Sequence, residues 1–205
     1  MTSHAVVHLV DDDESLRSAL QRLLTAAGYR VRTYASAGEF LLEPPVDAPG
    51  CLLLDLHMPG PSGLDLQEAL KRHGVRLPVI FLTGHGDLPT GVRAMKAGAV
   101  DFLTKPVERE TLFGAVGRAI EVDAKQRTAR SNQSDLQGRY AQLTAREREV
   151  LDLIVAGKLN KQIAGDLGIA ERTVKAQRAQ VMAKLGATNA AELGRIAAQL
   201  RERSA

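Results

Sequence analysis

The sequence predicts an α/β domain built on a parallel sheet, followed by a smaller all-α domain, in one chain of 205 residues. Three observations carry this reading. In residues 1–121, short and continuously apolar runs alternate with helical patterns, and continuous apolarity marks strands buried on both faces, as in a sheet covered by helices. No proline follows Pro106, and beyond residue 143 the apolar spacing is helical throughout. Charge divides at the same place: residues 1–121 hold 12 Lys/Arg against 15 Asp/Glu, whereas residues 144–205 hold 11 against 7. The length is ample for two separate cores, and the basic second half suggests a polyanionic partner.

The first domain, residues 1–121, takes its strands from Val6–Val10, a weaker run at Arg30–Tyr34, and residues 51–54, 79–82 and 100–103. Leu16, Leu20, Leu23, Leu24 and Ala27 form a helical stripe closed by Gly28, and Leu112, Val116, Ala119 and Ile120 form another. Strand–helix alternation of this kind gives a doubly wound five-stranded parallel sheet. Residues 122–142 are polar and read as a helical linker that loosens around 131–138. The second domain, residues 143–205, opens with a capping box, Thr144 at N-cap and Glu147 at N3. Val150, Leu151 and Ile154 carry its first helix to Gly157. A short helix from Asn160 stops at Gly168, a third spans Glu171–Leu185, and a fourth opens at Asn189.

The polar residues of the first domain fall just after strands: Asp11, Asp12 and Asp13, then Asp55, Thr83 and Lys105. Any one of them alone reads as a turn or a helix cap. In an open parallel sheet, however, the strands' carboxyl ends share one edge, so these six positions converge beside the topological switch point. Carboxylates so close together repel unless a cation neutralises them. Mg²⁺ suits Asp12 and Asp55, with Asp11 acting through water, and an ionised Asp55 can then attack a phosphoryl group to form an acyl phosphate. Lys105 supplies a compact positive charge for that phosphate, and Thr83 a hydroxyl that can move toward it.

The composition excludes other classes. Cys51 is the single cysteine, so no internal disulfide forms, and the histidines lack zinc spacing. With no apolar run of membrane length and no signal peptide, the expected location is the cytoplasm, with no membrane partner. A phosphatase of the haloacid-dehalogenase type needs a second Asp two residues after its nucleophile. His57 stands there, so the chain is not read as an enzyme beyond self-dephosphorylation.

In the second domain, two short helices meet at a tight turn containing Gly168, which is helix-turn-helix geometry; the second helix of such a pair enters the major groove. Val174, Val181 and Leu185 point inward, while Arg172, Thr173, Lys175, Gln177 and Arg178 occupy the opposite face. Lys and Arg contact guanine or phosphate, and Gln contacts adenine. Three Tyr, four Phe and no Trp leave little for single-strand stacking, which favours double-stranded DNA over RNA. A protein-docking role, making the chain a phosphorylation-dependent signalling adaptor, is the alternative.

Val10-Asp11-Asp12-Asp13-Glu14, Asp55-Leu56-His57-Met58-Pro59-Gly60, Leu82-Thr83-Gly84 and Lys105-Pro106 resemble the receiver domain of two-component signalling. The resemblance implies a flavodoxin-like fold, a sensor histidine kinase that phosphorylates Asp55, a Mg²⁺ ligand in the His57 backbone carbonyl, a cis Lys105–Pro106 bond and a switch aromatic at Phe102. The run Leu143–Leu151, with Asn160-Lys161-Gln162-Ile163-Ala164, Arg172-Thr173-Val174-Lys175 and Lys184-Leu185-Gly186, resembles the four-helix LuxR-type DNA-binding domain. Together they resemble FixJ/NarL-type response regulators. By that likeness Lys175, Ala176 and Ala179 face bases, and Asn160, Lys161, Arg172, Thr173 and Arg178 lean toward phosphates or flanking bases. It also implies homodimerisation on phosphorylation through residues 92–103, a palindromic operator, and RNA polymerase as a further partner. Two positions depart from the pattern. Ala179 replaces a Lys common among relatives, shifting readout toward Arg178 and Gln177, and Ala170 stands where Ser or Thr would cap the recognition helix.

Overall fold

A computed structural model describes residues 5–43, 48–84 and 88–201. The chain forms two compact units, Met1–Arg127 and Thr128–Ala205. The first holds strands β1 (Val6–Val10), β2 (Arg30–Tyr34), β3 (Gly50–Asp55), β4 (Val79–Thr83) and β5 (Asp101–Thr104). All pair in parallel, in the order β2-β1-β3-β4-β5. The order reverses at β1, so β1 and β3 lie side by side at the switch point and end level, with Val10 opposite Leu54.

Helices cover both faces, as the continuous apolar runs require. Helices α2 (Ala37–Leu42), α3 (Gly63–Arg72) and α4 (Leu88–Lys96) serve the face built from Val10, Leu52, Leu54 and Phe81. Helix α1 (Glu14–Ala26) and α5 (Arg109–Ala141) serve the face of Leu9, Leu53, Ile80 and Leu82. The two apolar stripes that the sequence reading names, running from Leu16 through Leu24 and from Leu112 to Ile120, are the inner faces of α1 and α5. Cys51 lies fully buried in β3, where burial first, and the charge of Asp123 second, push its thiol up to about 12.

Close approach fixes one residue type at the junction of β3 and α3. Gly63 opens α3, its N–H donates to the Leu56 carbonyl at 3.1 Å, and a Cβ there would stand 2.4 Å from the Asp55 carbonyl oxygen and 3.0 Å from the Phe81 ring. A Gly63→Ala variant is therefore expected to lose about 1–3 kcal/mol of stability. Urea unfolding measures this, and an unchanged midpoint would show that the junction gives way freely.

The second unit contains the last turns of α5 with α6 (Ala145–Val155), α7 (Asn160–Leu167), α8 (Glu171–Leu185) and α9 (Ala190–Arg201). Val150, Leu151, Ile154, Ile163, Val174, Val181, Leu185 and Leu193 make its core. The capping box forms as the sequence predicts: Thr144 Oγ1 accepts from Glu147 N at 3.2 Å, and Glu147 Oε2 accepts from Thr144 N at 2.7 Å. Gly168 ends α7 in the left-handed region at φ 63°, which lets the chain turn sharply into α8. The break expected around 131–138 is absent, because α5 stays helical through Ala141. Gln, Arg, Ser and Ala are adequate helix formers, and one Gly at 138 costs only about 1 kcal/mol.

Candidate functional site

The carboxyl ends of β1, β3, β4 and β5 deliver the predicted polar residues to one edge of the sheet. The turn after β1 is itself ordered by carboxylates. Asp13 caps α1, its Oδ1 accepting from Ser15 N at 2.9 Å and Leu16 N at 3.1 Å, while Asp13 N donates to Asp11 Oδ1 at 2.9 Å. Arg17, one turn into α1, adds a brace by donating from Nη1 to the Asp11 carbonyl at 2.7 Å. Sequence reasoning missed Arg17, since nothing in its spacing sets it apart from a solvated helical arginine.

Asp11 is buried, Asp12 exposed and Asp55 buried, and one carboxylate oxygen of each lies within 4.8 Å of the others. Lys105 reaches across from the end of β5 and bridges two of them, with Nζ at 2.7 Å from Asp11 Oδ2 and 2.9 Å from Asp55 Oδ2. Burial holds the Asp11 carboxyl above its usual range even though Lys105 and the Asp13 N–H both favour its ionised form. Burial also opposes charge on Lys105, but the hydrogen bonds and charges of Asp11 and Asp55 prevail and leave its ammonium above the ordinary value. The Lys105–Pro106 peptide bond is cis.

The remaining predicted residues surround this cluster. Thr83 is buried at the end of β4 and donates from Oγ1 to the Gly84 carbonyl at 3.2 Å, so its hydroxyl is engaged with backbone and not with the carboxylates. The backbone beside it positions the lysine, Lys105 N donating to the Thr83 carbonyl at 2.7 Å. His57 is exposed, and its N–H donates to Asp55 Oδ1 at 3.3 Å. Phe102 is half-buried on β5 with its ring against α4, where a Cβ at Gly91 would fall 2.9 Å from two ring carbons.

In the second unit, α7 and α8 join through Gly168 and carry the other predicted residues. Arg172, Lys175, Ala176 and Ala179 are exposed along α8, as is Lys161 on α7, while Thr173 and Arg178 are half-buried. Arg178 Nη1 donates to Asn160 Oδ1 at 3.3 Å, tying the recognition helix to the start of α7. Gln177 departs from the sequence reading. It is half-buried, and its amide oxygen is enclosed, not displayed beside Arg178. Two further ties hold the pair of helices in place: Arg146 Nη2 donates to the Leu167 carbonyl at 2.7 Å, and Lys184 Nζ lies 2.7 Å from Glu147 Oε2. Lys184 leads the influences that draw the Glu147 carboxyl below its usual range.

Ala170 stands at the N-cap of α8 with extended backbone and no side-chain hydrogen bond to the helix start. Ala170→Ser is expected to stabilise the second unit by about 1 kcal/mol. A thermal melt of the full chain reads this, and an unmoved transition would mean that the free N–H groups of α8 are already well solvated.

No helix among the described residues is long and apolar enough to cross a membrane. Residues 7–117 match the family described as "Response regulator receiver domain", and residues 141–197 match "Bacterial regulatory proteins, luxR family". Nodulation protein W of Bradyrhizobium diazoefficiens is 44% identical over 199 residues, 97% of this chain and 88% of that protein. Transcriptional regulatory protein FixJ of Rhizobium meliloti is 43% identical over 197 residues, 96% of each chain. Among solved structures, response regulator StyR aligns at 44% identity with a TM-score of 0.86, covering 96% of this chain and 99% of that one. Full-length FixJ from B. japonicum aligns at 37% identity with a TM-score of 0.60, covering 97% and 98%.

Proposed function

Because this chain belongs to the two-component response regulators that join a receiver domain to a luxR-family domain, and is thus a DNA-binding transcriptional regulator, we propose that Asp55 is its phosphoacceptor and that phosphate there drives dimerisation and operator binding. The observation that carries this reading is the bridge from Lys105 to Asp11 and Asp55, which draws the ends of three strands together at the switch point.

Asp55 carries out the chemistry. An oxygen of its ionised carboxylate attacks the phosphorus of a phosphohistidine on a sensor kinase; a phosphorus–oxygen bond forms, the phosphorus–nitrogen bond breaks, and the departing imidazole takes a proton. The oxygen-only donor set of Asp11, Asp12 and Asp55, within 4.8 Å, fits Mg²⁺, with the His57 carbonyl as a further ligand. When bound, the ion supplies positive charge against the phosphoryl oxygens. Lys105 neutralises the same oxygens from the β5 side, and its engagement with Asp11 keeps it positioned before phosphate arrives. Once Asp55 carries phosphate, the Thr83 hydroxyl exchanges the Gly84 carbonyl for a phosphate oxygen and Phe102 follows inward, altering the surface of α4 and β5.

Dimerisation gives the small basic domains two half-sites at once, and thereby an affinity that one lacks. On each, Lys175, Ala176 and Ala179 face the bases of a palindromic operator, with Arg172, Thr173, Arg178, Asn160 and Lys161 toward the backbone. Gln177 has a lesser part than the sequence suggested, given its enclosed amide oxygen. The chain works in the cytoplasm, has no enzymatic turnover beyond loss of its own phosphate, and meets RNA polymerase at the promoter.

The test is acetyl phosphate with Mg²⁺, with light scattering on one aliquot and borohydride reduction followed by peptide mass mapping on another. Reduction at residue 55 and a doubled mass are expected. A label elsewhere, or a labelled monomer, would refute the phosphoacceptor or the dimer respectively.

A further inference from the structure

Asp123 lies on α5 just past residue 121, in a stretch whose composition reads as linker, yet it is 1% exposed. Its carboxylate leaves the helix to engage the start of β3, where Oδ2 accepts the Gly50 N–H at 2.9 Å. One turn further along α5, Arg127 Nε donates to the same oxygen at 2.7 Å, and Nη2 donates to the Ala48 carbonyl at 2.7 Å. Two side chains of one helix therefore hold a donor and an acceptor of the backbone entering β3. A carboxylate this deeply buried is tolerated only when paired and hydrogen-bonded, so the arrangement is specific and costly to break.

The strand held in this way is the one that ends in Asp55. β3 is flanked by β1 and β4 and buried along its whole length, so it responds to force at either end as a close-packed unit. At its far end, α5 continues past the clasp to Ala141. The apolar stripe that seats α5 on the sheet ends at Ile120, so beyond that point these polar contacts fix the helix to the strand.

We propose that Asp123 and Arg127 are positioning residues forming a clasp that couples β3 to the helix leading into the DNA-binding domain, so that the state of Asp55 is felt along α5. This rests on the phosphorylation reading above, and it adds a route for the signal that dimerisation alone does not require. Coupling of this kind needs a continuous physical connection, and the ion pair that grips backbone groups at the start of β3 supplies one between the strand and the helix.

The experiment uses the full chain with Arg127→Gln and Asp123→Asn. Arg127 is partly solvent-facing, so its variant keeps the fold should the buried Asp123 variant fail. Phosphate on Asp55 is read by mass, amide exchange of residues 121–130 by deuterium uptake, and DNA affinity by anisotropy. The DNA probe is a duplex selected from a random pool by acetyl-phosphate-treated wild-type protein. The expected result is normal phosphate uptake at Asp55, with exchange in 121–130 faster by about tenfold or more. Alongside it, the gain in DNA affinity on phosphorylation should shrink by about threefold or more. Normal phosphorylation with an undiminished affinity gain would overturn the clasp and leave it a local brace. Failure of wild-type Asp55 to take phosphate would overturn the switch and the coupling with it.

Discussion

A Lys105→Met variant is expected to acquire phosphate on Asp55 about 10²–10³-fold more slowly than the wild type, the range seen when one preorganised charge-stabilising donor is removed from an active site. Lys105 Nζ stands 2.7 Å from Asp11 Oδ2 and 2.9 Å from Asp55 Oδ2, and the side chain is only 20% exposed, so its charge acts in a weakly screened setting. Methionine keeps the length and volume but offers no charge to an incoming phosphoryl group. It also removes one of the influences that oppose the burial-driven rise of the Asp11 carboxyl, so that carboxyl moves further above its usual range. Asp55→Asn, by contrast, removes the attacking oxygen's charge and should abolish labelling entirely. A time course with acetyl phosphate and Mg²⁺, read by intact mass, separates a slow variant from a dead one. Wild-type kinetics in Lys105→Met would show that Lys105 only neutralises Asp11.

The second large effect concerns acid stability and lies away from this pocket. His8 sits in β1, 2% exposed, with Nδ1 at 3.2 Å from the Tyr34 hydroxyl and its ring packed against Tyr34 and Phe40. Burial first, and the positive charge of Arg32 second, lower its pKa from 6.5 to about 4. The unfolded chain therefore binds a proton at His8 more readily than the folded protein does. Stability from this group is complete above pH 6.5, falls as the pH drops, and is lost by about pH 4, a change of about 3 kcal/mol. His8→Leu should flatten that part of the pH profile in urea unfolding between pH 7.5 and 4.5. The variant also leaves the Tyr34 hydroxyl without this partner, at a cost of about 1 kcal/mol that does not vary with pH. The diagnostic is the slope and not the offset; parallel profiles for the two proteins would assign the acid sensitivity to the carboxylates.

The strands and the carboxylate pocket were legible because they rest on strong local signals. Runs such as residues 51–54 are apolar without interruption, and Asp11, Asp55, Thr83 and Lys105 come at strand ends, which parallel topology must gather on one edge. Less could be read from helices whose packing depends on few residues. α2 buries Ala37 and Phe40 within six residues, and α3 buries Gly63 and Gln67 beside Leu66 and Leu70, mixing polar and small residues into the inner face. The course of α5 was also hidden. Its polar segment shows no apolar periodicity, and Asp123 and Arg127 read as ordinary linker charges until β3 is seen beside them. On α8 the sequence placed Arg172 and Lys175 outward, as found, but gave Gln177 the same face, since polarity alone does not show which side chains become enclosed.

Cys51 offers a practical advantage. It is the single thiol in the chain, it lies fully buried in β3, and its high pKa leaves almost none of it as reactive thiolate at neutral pH. Modification by a disulfide reagent therefore proceeds only when the receiver sheet opens, and unfolding of residues 128–205 contributes no signal because they hold no thiol. Labelling rates then give the opening equilibrium of one domain inside the intact two-domain chain, a quantity that heat or denaturant scans of the whole protein blend with that of its neighbour. The same inertness allows a fluorophore to be attached to a cysteine introduced anywhere on the surface with the native residue left in place.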